Sequence, residues 1–137
     1  MIHRLTQNQR QALLDLMIYL ARADGRVDNV EQRLLADYAH LAGAQTCTLP
    51  AHYELQDLVT PFETPESRVA VLQELLRLSH SHTYFADEEQ SALVEMAALM
   101  GLPLDLLAKI ESWVVEGLAW ERKGDALVRE AERLARR

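Results

Sequence analysis

Residues 20–43 read LARADGRVDNVEQRLLADYAHLAG, and residues 78–101 read LSHSHTYFADEEQSALVEMAALMG. The second stretch repeats the first at a constant shift of 58 residues (residue 78 against residue 20), and no gap is needed. The identical pairs include Leu20/Leu78, Glu31/Glu89, Gln32/Gln90, Leu35/Leu93, Leu41/Leu99 and Gly43/Gly101. An internal repeat determines the architecture of a chain, so it is considered before other features. The chain is therefore expected to contain two similar supersecondary units.

Apolar residues around and between these stretches follow helical spacing. Leu13, Met17 and Ala21 form one stripe, and Leu34, Tyr38 and Leu41 belong to another. No segment alternates with period two between turn residues, so no sheet is predicted. The sequence predicts an all-α fold, a compact bundle of about six or seven helices in a single domain of residues 1–137. Two helical hairpins, residues 7–43 and 65–101, are expected to pack about a pseudo-twofold axis, with C-terminal helices over residues 103–137.

Capping residues predict where the helices begin and end. Thr6 with Gln9 forms the pattern of a capping box at the start of the first helix, and Asp28 with Glu31 caps the second. The later helices are expected to begin near Ala51, at Pro65, at Asp87 and at Pro103. The expected helix ends are Gly25, Gly43, Gly101 and Gly124.

The C-terminal region is predicted to cover the open side of the hairpins. A helix from Pro103 to about Trp120 would place Trp113 and Trp120 on one side as core anchors. Gly124 would separate it from a final amphipathic helix that packs onto the domain. The residues of that last helix expected to face inward are Leu127, Ala131 and Leu134.

Composition and charge limit the classes of partner. The formal net charge is −7, and residues 122–137 hold six basic residues against three acidic ones, so the rest of the chain is more acidic still. An acidic surface repels phosphate, which argues against nucleic acid and favours cations or a basic protein partner. The sequence predicts neither a bilayer span nor a signal peptide, and stable membrane association is not expected. The lone Cys47 fits a reducing compartment, so a cytoplasmic location is expected.

The repeat places acidic residues at two equivalent helix starts. Carboxylates there accept hydrogen bonds from free N–H groups and oppose the helix dipole, which explains several of them as caps. The alternative is a divalent metal site, because hard cations take oxygen ligands from several segments, and histidine would favour a transition metal or zinc. The candidate ligands are Asp24, Glu31, His82, Asp87 and Glu89, with His80 as a further possibility or, with His82, an exposed polar residue at a helix end.

No pattern in the sequence indicates an enzyme. An EF-hand ladder, an HExxH motif, a CxxC pair and a glycine-rich phosphate loop are all missing from the sequence. Two hypotheses follow. The first is a non-enzymatic module that binds a divalent metal ion at the repeated turns. The second is an acidic helical adaptor that docks a protein partner and has no ligand of its own.

The first copy of the repeat resembles the tellurite-resistance TerB-like family, whose domain also occurs in some DnaJ-like co-chaperones. It carries Ala23, Asp24 and Gly25, followed by Glu31, in the order of that family. The second copy has His82 where the family often repeats Asp, although Glu89 keeps its place. The resemblance implies a compact all-α domain whose acidic cluster binds metal or docks partners in stress-response assemblies.

Overall fold

The computed structural model describes residues 4–22, 33, 36, 37, 40, 54–81 and 87–136. All regular structure in these ranges is helical, which confirms the all-α class. The structure gives bounds for five helices, against the predicted six or seven: α1 (Gln7–Ala21), α2 (Leu55–Val59), α3 (Pro65–Ser81), α4 (Asp87–Leu99) and α5 (Leu104–Ala135). Residues 33, 36, 37 and 40 are helical as well. Most of the predicted helix over residues 28–43 lies outside the described residues, so the pseudo-twofold axis stays a prediction.

Side-chain caps begin two of the helices, as the sequence predicts. Thr6 Oγ1 accepts a hydrogen bond from Gln9 N at 3.2 Å, and Gln9 Oε1 accepts one from Thr6 N at 3.0 Å. This reciprocal pair is the predicted capping box of α1. At α3, Thr64 Oγ1 accepts from Ser67 N at 3.1 Å, and Pro65 occupies the first helical position.

Gly101 ends α4 with a left-handed residue. Its φ is +73°, the only positive φ among the described residues. The N–H of Leu102 donates to Ala97 O at 2.9 Å, and the N–H of Gly101 donates to Ala98 O at 3.0 Å. These two bonds form a Schellman motif, which needs a residue without the steric penalty of Cβ. The predicted end of this helix is therefore confirmed.

Helix α3 lies at the centre of the described core and packs against α1, α4 and α5. Its inward residues Val71, Leu72 and Leu75 have no exposed surface. Positions related by the shift of 58 residues are buried alike: Leu13 with Val71, Met17 with Leu75 and Leu20 with Leu78. Arg77 Nη2 lies 2.9 Å from Glu121 Oε1, and His80 Nε2 lies 3.3 Å from Glu111 Oε2, so both pairs join α3 to α5.

The predicted helix break at Gly124 is wrong, because α5 runs without interruption for 32 residues. A glycine inside a helix costs only about 1 kcal/mol relative to alanine and keeps its backbone N–H. The sequence around Gly124 is rich in strong helix formers. Asp125 precedes Arg129 by four residues, and Glu132 precedes Arg136 by four, an order that stabilises a helix. These contributions offset the glycine.

The predicted burial of the C-terminal side chains is also wrong. Trp113 is 50% exposed and Trp120 is 76% exposed, so neither anchors the core. The packed face of α5 carries Leu107, Ile110 and Val114 instead. Since neighbouring residues point about 100° apart on a helix, the tryptophans lie beside that face. The expected inward residues of the last turns are exposed as well: Leu127, Ala131 and Leu134.

Two smaller expectations are corrected. Helix α2 begins at Leu55, because Glu54 is extended, and Pro103 caps α5 rather than occupying its first turn. His80 is not an exposed helix end, since its side chain is 22% exposed and contacts Glu111. None of the helices in the described ranges combines the length and apolarity that a membrane span needs.

Candidate metal site in an acidic groove

The end of α1 and the start of α4 border one open groove. We call it the acidic groove, and its volume is about 550 Å³. The residues that line it include Tyr19, Arg22, Asp87, Glu88, Ser91 and Glu95. The groove therefore lies between the end of α1, which leads into the acidic residues of the first repeat copy, and α4, which begins with the acidic residues of the second copy.

The first turn of α4 carries three consecutive carboxylates, Asp87, Glu88 and Glu89. The positive end of the helix dipole and the free N–H groups of the first turn stabilise negative charge at these positions. The described part of this helix begins at Asp87, the residue where the sequence predicts its start. The first of the two explanations given above, stabilisation of the helix start, is therefore sufficient to account for acidic residues at these positions.

The three carboxylates do not share one environment. Asp87 and Glu88 are exposed and line the acidic groove, whereas Glu89 is 1% exposed and lies on the inward face of α4 with Leu93 and Met96. Residues two apart on a helix point about 200° apart. Asp87 and Glu89 therefore leave the helix in opposite directions, and a single ion would not bind both directly.

The burial of Glu89 has its own chemical consequence. An ionised carboxylate that is removed from water requires compensation by hydrogen bonds, by a positive group or by a cation. Its place in the first turn of α4 supplies part of that compensation through the helix dipole. Glu89 is thus a buried carboxyl group in the first turn of α4, on the core side of that helix.

The other candidate ligands lie outside the described residues: Asp24, Glu31 and His82. Within the described ranges, no group of three or more His, Cys, Asp or Glu side chains could hold a metal ion. The described side of the acidic groove therefore offers Asp87 and Glu88 and would need further ligands from elsewhere to complete a coordination shell.

The predicted site did not include six of the residues that line the groove: Tyr19, Arg22, Glu88, Ser91, Ala92 and Glu95. Ser91 and Glu95 are four apart, and Glu95 follows Glu88 by seven, a spacing that places them on one face of α4. That signal was present in the sequence. Tyr19 and Arg22 are three apart at the end of α1, but only the crossing of α1 and α4 shows which neighbour they face.

A comparison with protein families finds a match in the N-terminal part of the chain. The model of the family described as tellurite resistance protein TerB matches residues 1–52. Residues 1–52 are therefore similar to that family. This match confirms the resemblance that the sequence suggests for the first copy of the repeat, and Asp24 and Glu31 lie within the matched residues. The second copy, with His82, Asp87 and Glu89, lies beyond the matched residues. No curated protein and no solved structure matches the chain.

Proposed function

We propose that the chain is a non-enzymatic, stress-response-type module that binds a divalent metal ion at the acidic groove. The observation that supports this most strongly is that Arg22 and Asp87 line the same groove. Arg22 precedes Asp24 by two residues, and two residues of chain reach at most about 7 Å. The similarity of residues 1–52 to TerB supports a role related to tellurite resistance.

The proposed ligands come from both copies of the repeat. Asp87 would bind the ion from the groove side of α4, with Asp24, Glu31 and His82 as the ligands from the two turns. Glu89 would hold the second turn in place from the core side, since it is buried on the opposite face of α4. A shell of this kind mixes carboxylate oxygen with imidazole nitrogen, which favours manganese, zinc or nickel over calcium.

A thermal-shift experiment tests the metal site. Chelator-treated protein would be titrated with calcium, magnesium, manganese, zinc and nickel, for the unmodified chain and for Asp24→Asn and Asp87→Asn. An ion at 100 times its Kd should stabilise the fold by about 2.7 kcal/mol, and both variants should lose that gain.

The matched control is Asp105→Asn. Asp105 is exposed, lies in the first turn of α5 and does not line the groove, so this change removes the same charge from another helix start. Its response to metal should equal that of the unmodified chain. If no ion stabilises the chain at millimolar concentration, the proposed metal site is wrong.

The second candidate is an acidic adaptor without a ligand. The observation that favours it is the charge of the groove, where the exposed Asp87, Glu88 and Glu95 outnumber Arg22. A basic protein surface would be attracted to such a groove, and added salt would weaken the complex. This function predicts a salt-sensitive complex with a basic protein partner that Asp87→Asn and Glu95→Gln weaken equally, with no dependence on metal.

A further inference from the structure

The second half of α5 extends beyond the body of the domain. At 1.5 Å per residue, the helix of 32 residues is about 48 Å long. The ion pair of Arg77 with Glu121 is the last contact with α3 that the structure shows along it. From residue 122 to residue 136, every side chain is exposed. Isolated helices as short as residues 122–136 are marginally stable in water, so a packing partner would stabilise this segment.

One exposed stripe follows this helix with the spacing of a coiled coil. Four large apolar residues recur at intervals of seven positions. Four positions after each of the first three large residues there is a glycine or an alanine. The alternating spacing of four and three keeps all of them on one seam. We call this set the α5 stripe: Trp113, Gly117, Trp120, Gly124, Leu127, Ala131 and Leu134. Its four large members are between 50% and 76% exposed.

We propose that the α5 stripe binds the same stripe of a second copy of this chain, with the two helices antiparallel. When Gly124 lies opposite the partner's Leu127, Gly117 lies opposite the partner's Leu134, and Ala131 lies opposite the partner's Trp120. The six stripe residues from Gly117 to Leu134 then each meet a partner of the opposite size, and Trp113 lies beyond the end of the paired region. A Cβ built on Gly117 or Gly124 meets nothing within 4 Å, so both glycines leave room for a side chain from outside.

A parallel pair would not pack in this way. In a parallel, in-register arrangement each residue of the stripe faces its own copy, so glycine layers alternate with tryptophan or leucine layers. The glycine layers would leave voids while the tryptophan layers would hold the helices apart, and poorly filled interfaces lose their dispersion contacts. The alternation of large and small residues therefore selects the antiparallel arrangement.

Charge selects the register of the two helices. Lys123 and Glu130 border the stripe on the same side, seven residues apart and both exposed. In the proposed register, Lys123 faces the partner's Glu130, and symmetry forms this pair twice. A shift by one heptad in either direction brings Lys123 against the partner's Lys123, or Glu130 against the partner's Glu130. Like charges at these positions destabilise a coiled coil and so disfavour both shifted registers.

Sedimentation equilibrium of the full chain, with chelator present, tests this interface. A concentration-dependent dimer is expected. Gly124→Leu should abolish it, because the new side chain collides with the partner's Leu127, although leucine favours a helix more than glycine does. The control is Ala126→Leu, which adds an exposed leucine on the other side of α5 and should leave the dimer unchanged.

Charge reversal tests the register independently. Lys123→Glu and Glu130→Lys should each weaken the dimer about tenfold, because each replaces two attractive pairs by two repulsive ones. The double variant should recover the original association. A chain that stays monomeric at every concentration would overturn the proposal, and so would a dimer that tolerates Gly124→Leu or a double variant that fails to recover.

Discussion

Gly101 shows how much depends on the conformation of one residue. Its φ of +73° costs glycine nothing, whereas a residue with a Cβ atom pays about 1–2 kcal/mol for left-handed geometry. Space is not the reason for the cost, because a Cβ at this position meets nothing within 4 Å. We expect Gly101→Ala to lower the free energy of unfolding by about 1 kcal/mol, measured by urea denaturation.

The control at this position is Gly101→Asn, since asparagine adopts the left-handed conformation more readily than alanine. It should destabilise the fold less than Gly101→Ala does. Equal losses for the two variants would show that the backbone angle is not what selects glycine here.

Glu89 and Asp87 should respond differently to replacement by the corresponding amide. Glu89→Gln replaces a buried carboxyl group in the first turn of α4, so we expect unfolding to require about 1 kcal/mol less, with or without metal. Asp87→Asn should change the effect of metal more than the stability of the metal-free protein, because Asp87 is exposed in the groove. Chemical denaturation in chelator and in excess metal measures both effects. A larger metal effect for Glu89→Gln would reverse the assigned roles.

At the scale of helices, local signals predicted boundaries well. The capping box of Thr6 and Gln9, the start at Pro65 and the end at Gly101 each depend on a few neighbouring residues, so the sequence contains the whole cause. The break predicted at Gly124 failed because the residues on both sides of that glycine favour a helix more strongly than it opposes one.

Burial of α5 could not be predicted in the same way. Periodicity identifies an apolar face but does not say how far the neighbouring helices extend along it. Ile110 and Val114 lie beside the body of the domain, while Leu127 and Leu134 have the same character beyond its end. The inward position of Glu89 was detectable in part, since Leu93 and Met96 follow it by four and seven residues, the spacing of one helix face.

The length of α5 that extends beyond the domain leads to a prediction about hydrogen exchange. Amides of residues 122–136 should exchange quickly in dilute protein, because no buried side chain holds that part of the helix. Amides of α3 should exchange slowly, since that helix is the centre of the core. With rising protein concentration, residues 117–134 should gain protection if a second copy packs on the α5 stripe. Protection of residues 122–136 that is high and independent of concentration would contradict this.

At the scale of the whole molecule, the core around α3 carries the stability of the domain. Leu75 has no exposed surface and packs in the cluster that joins α1, α3, α4 and α5. We expect Leu75→Ala to lower the free energy of unfolding by about 2–5 kcal/mol, because it removes buried methyl groups and leaves a cavity. Leu104→Ala makes the same chemical change at a residue that is 61% exposed and should cost less than about 0.5 kcal/mol. Similar losses for both variants would contradict the described core.

The internal repeat predicts that the acidic residues of its two copies form one site. Whether they lie close together depends on the angle and position at which the two helical hairpins cross. Covalent spacing does not determine the crossing of helices distant in the chain, so neither Arg22 nor Tyr19 could be placed opposite Asp87 from the sequence. Because α1 and α4 border one groove, the central proposal is a metal site shared by both repeat copies. This proposal requires a single ion to bind near both turns.

Nuclear magnetic resonance of the ¹⁵N-labelled chain with substoichiometric Mn²⁺ tests that consequence directly. A paramagnetic ion broadens amide signals close to it, so a shared site should broaden residues 22–31 and 82–89 together, while α2 and residues 122–136 stay sharp. Asp24→Asn and Asp87→Asn should each abolish the broadening in both segments. Broadening of one segment alone, or none at all, would contradict a site that the two turns share.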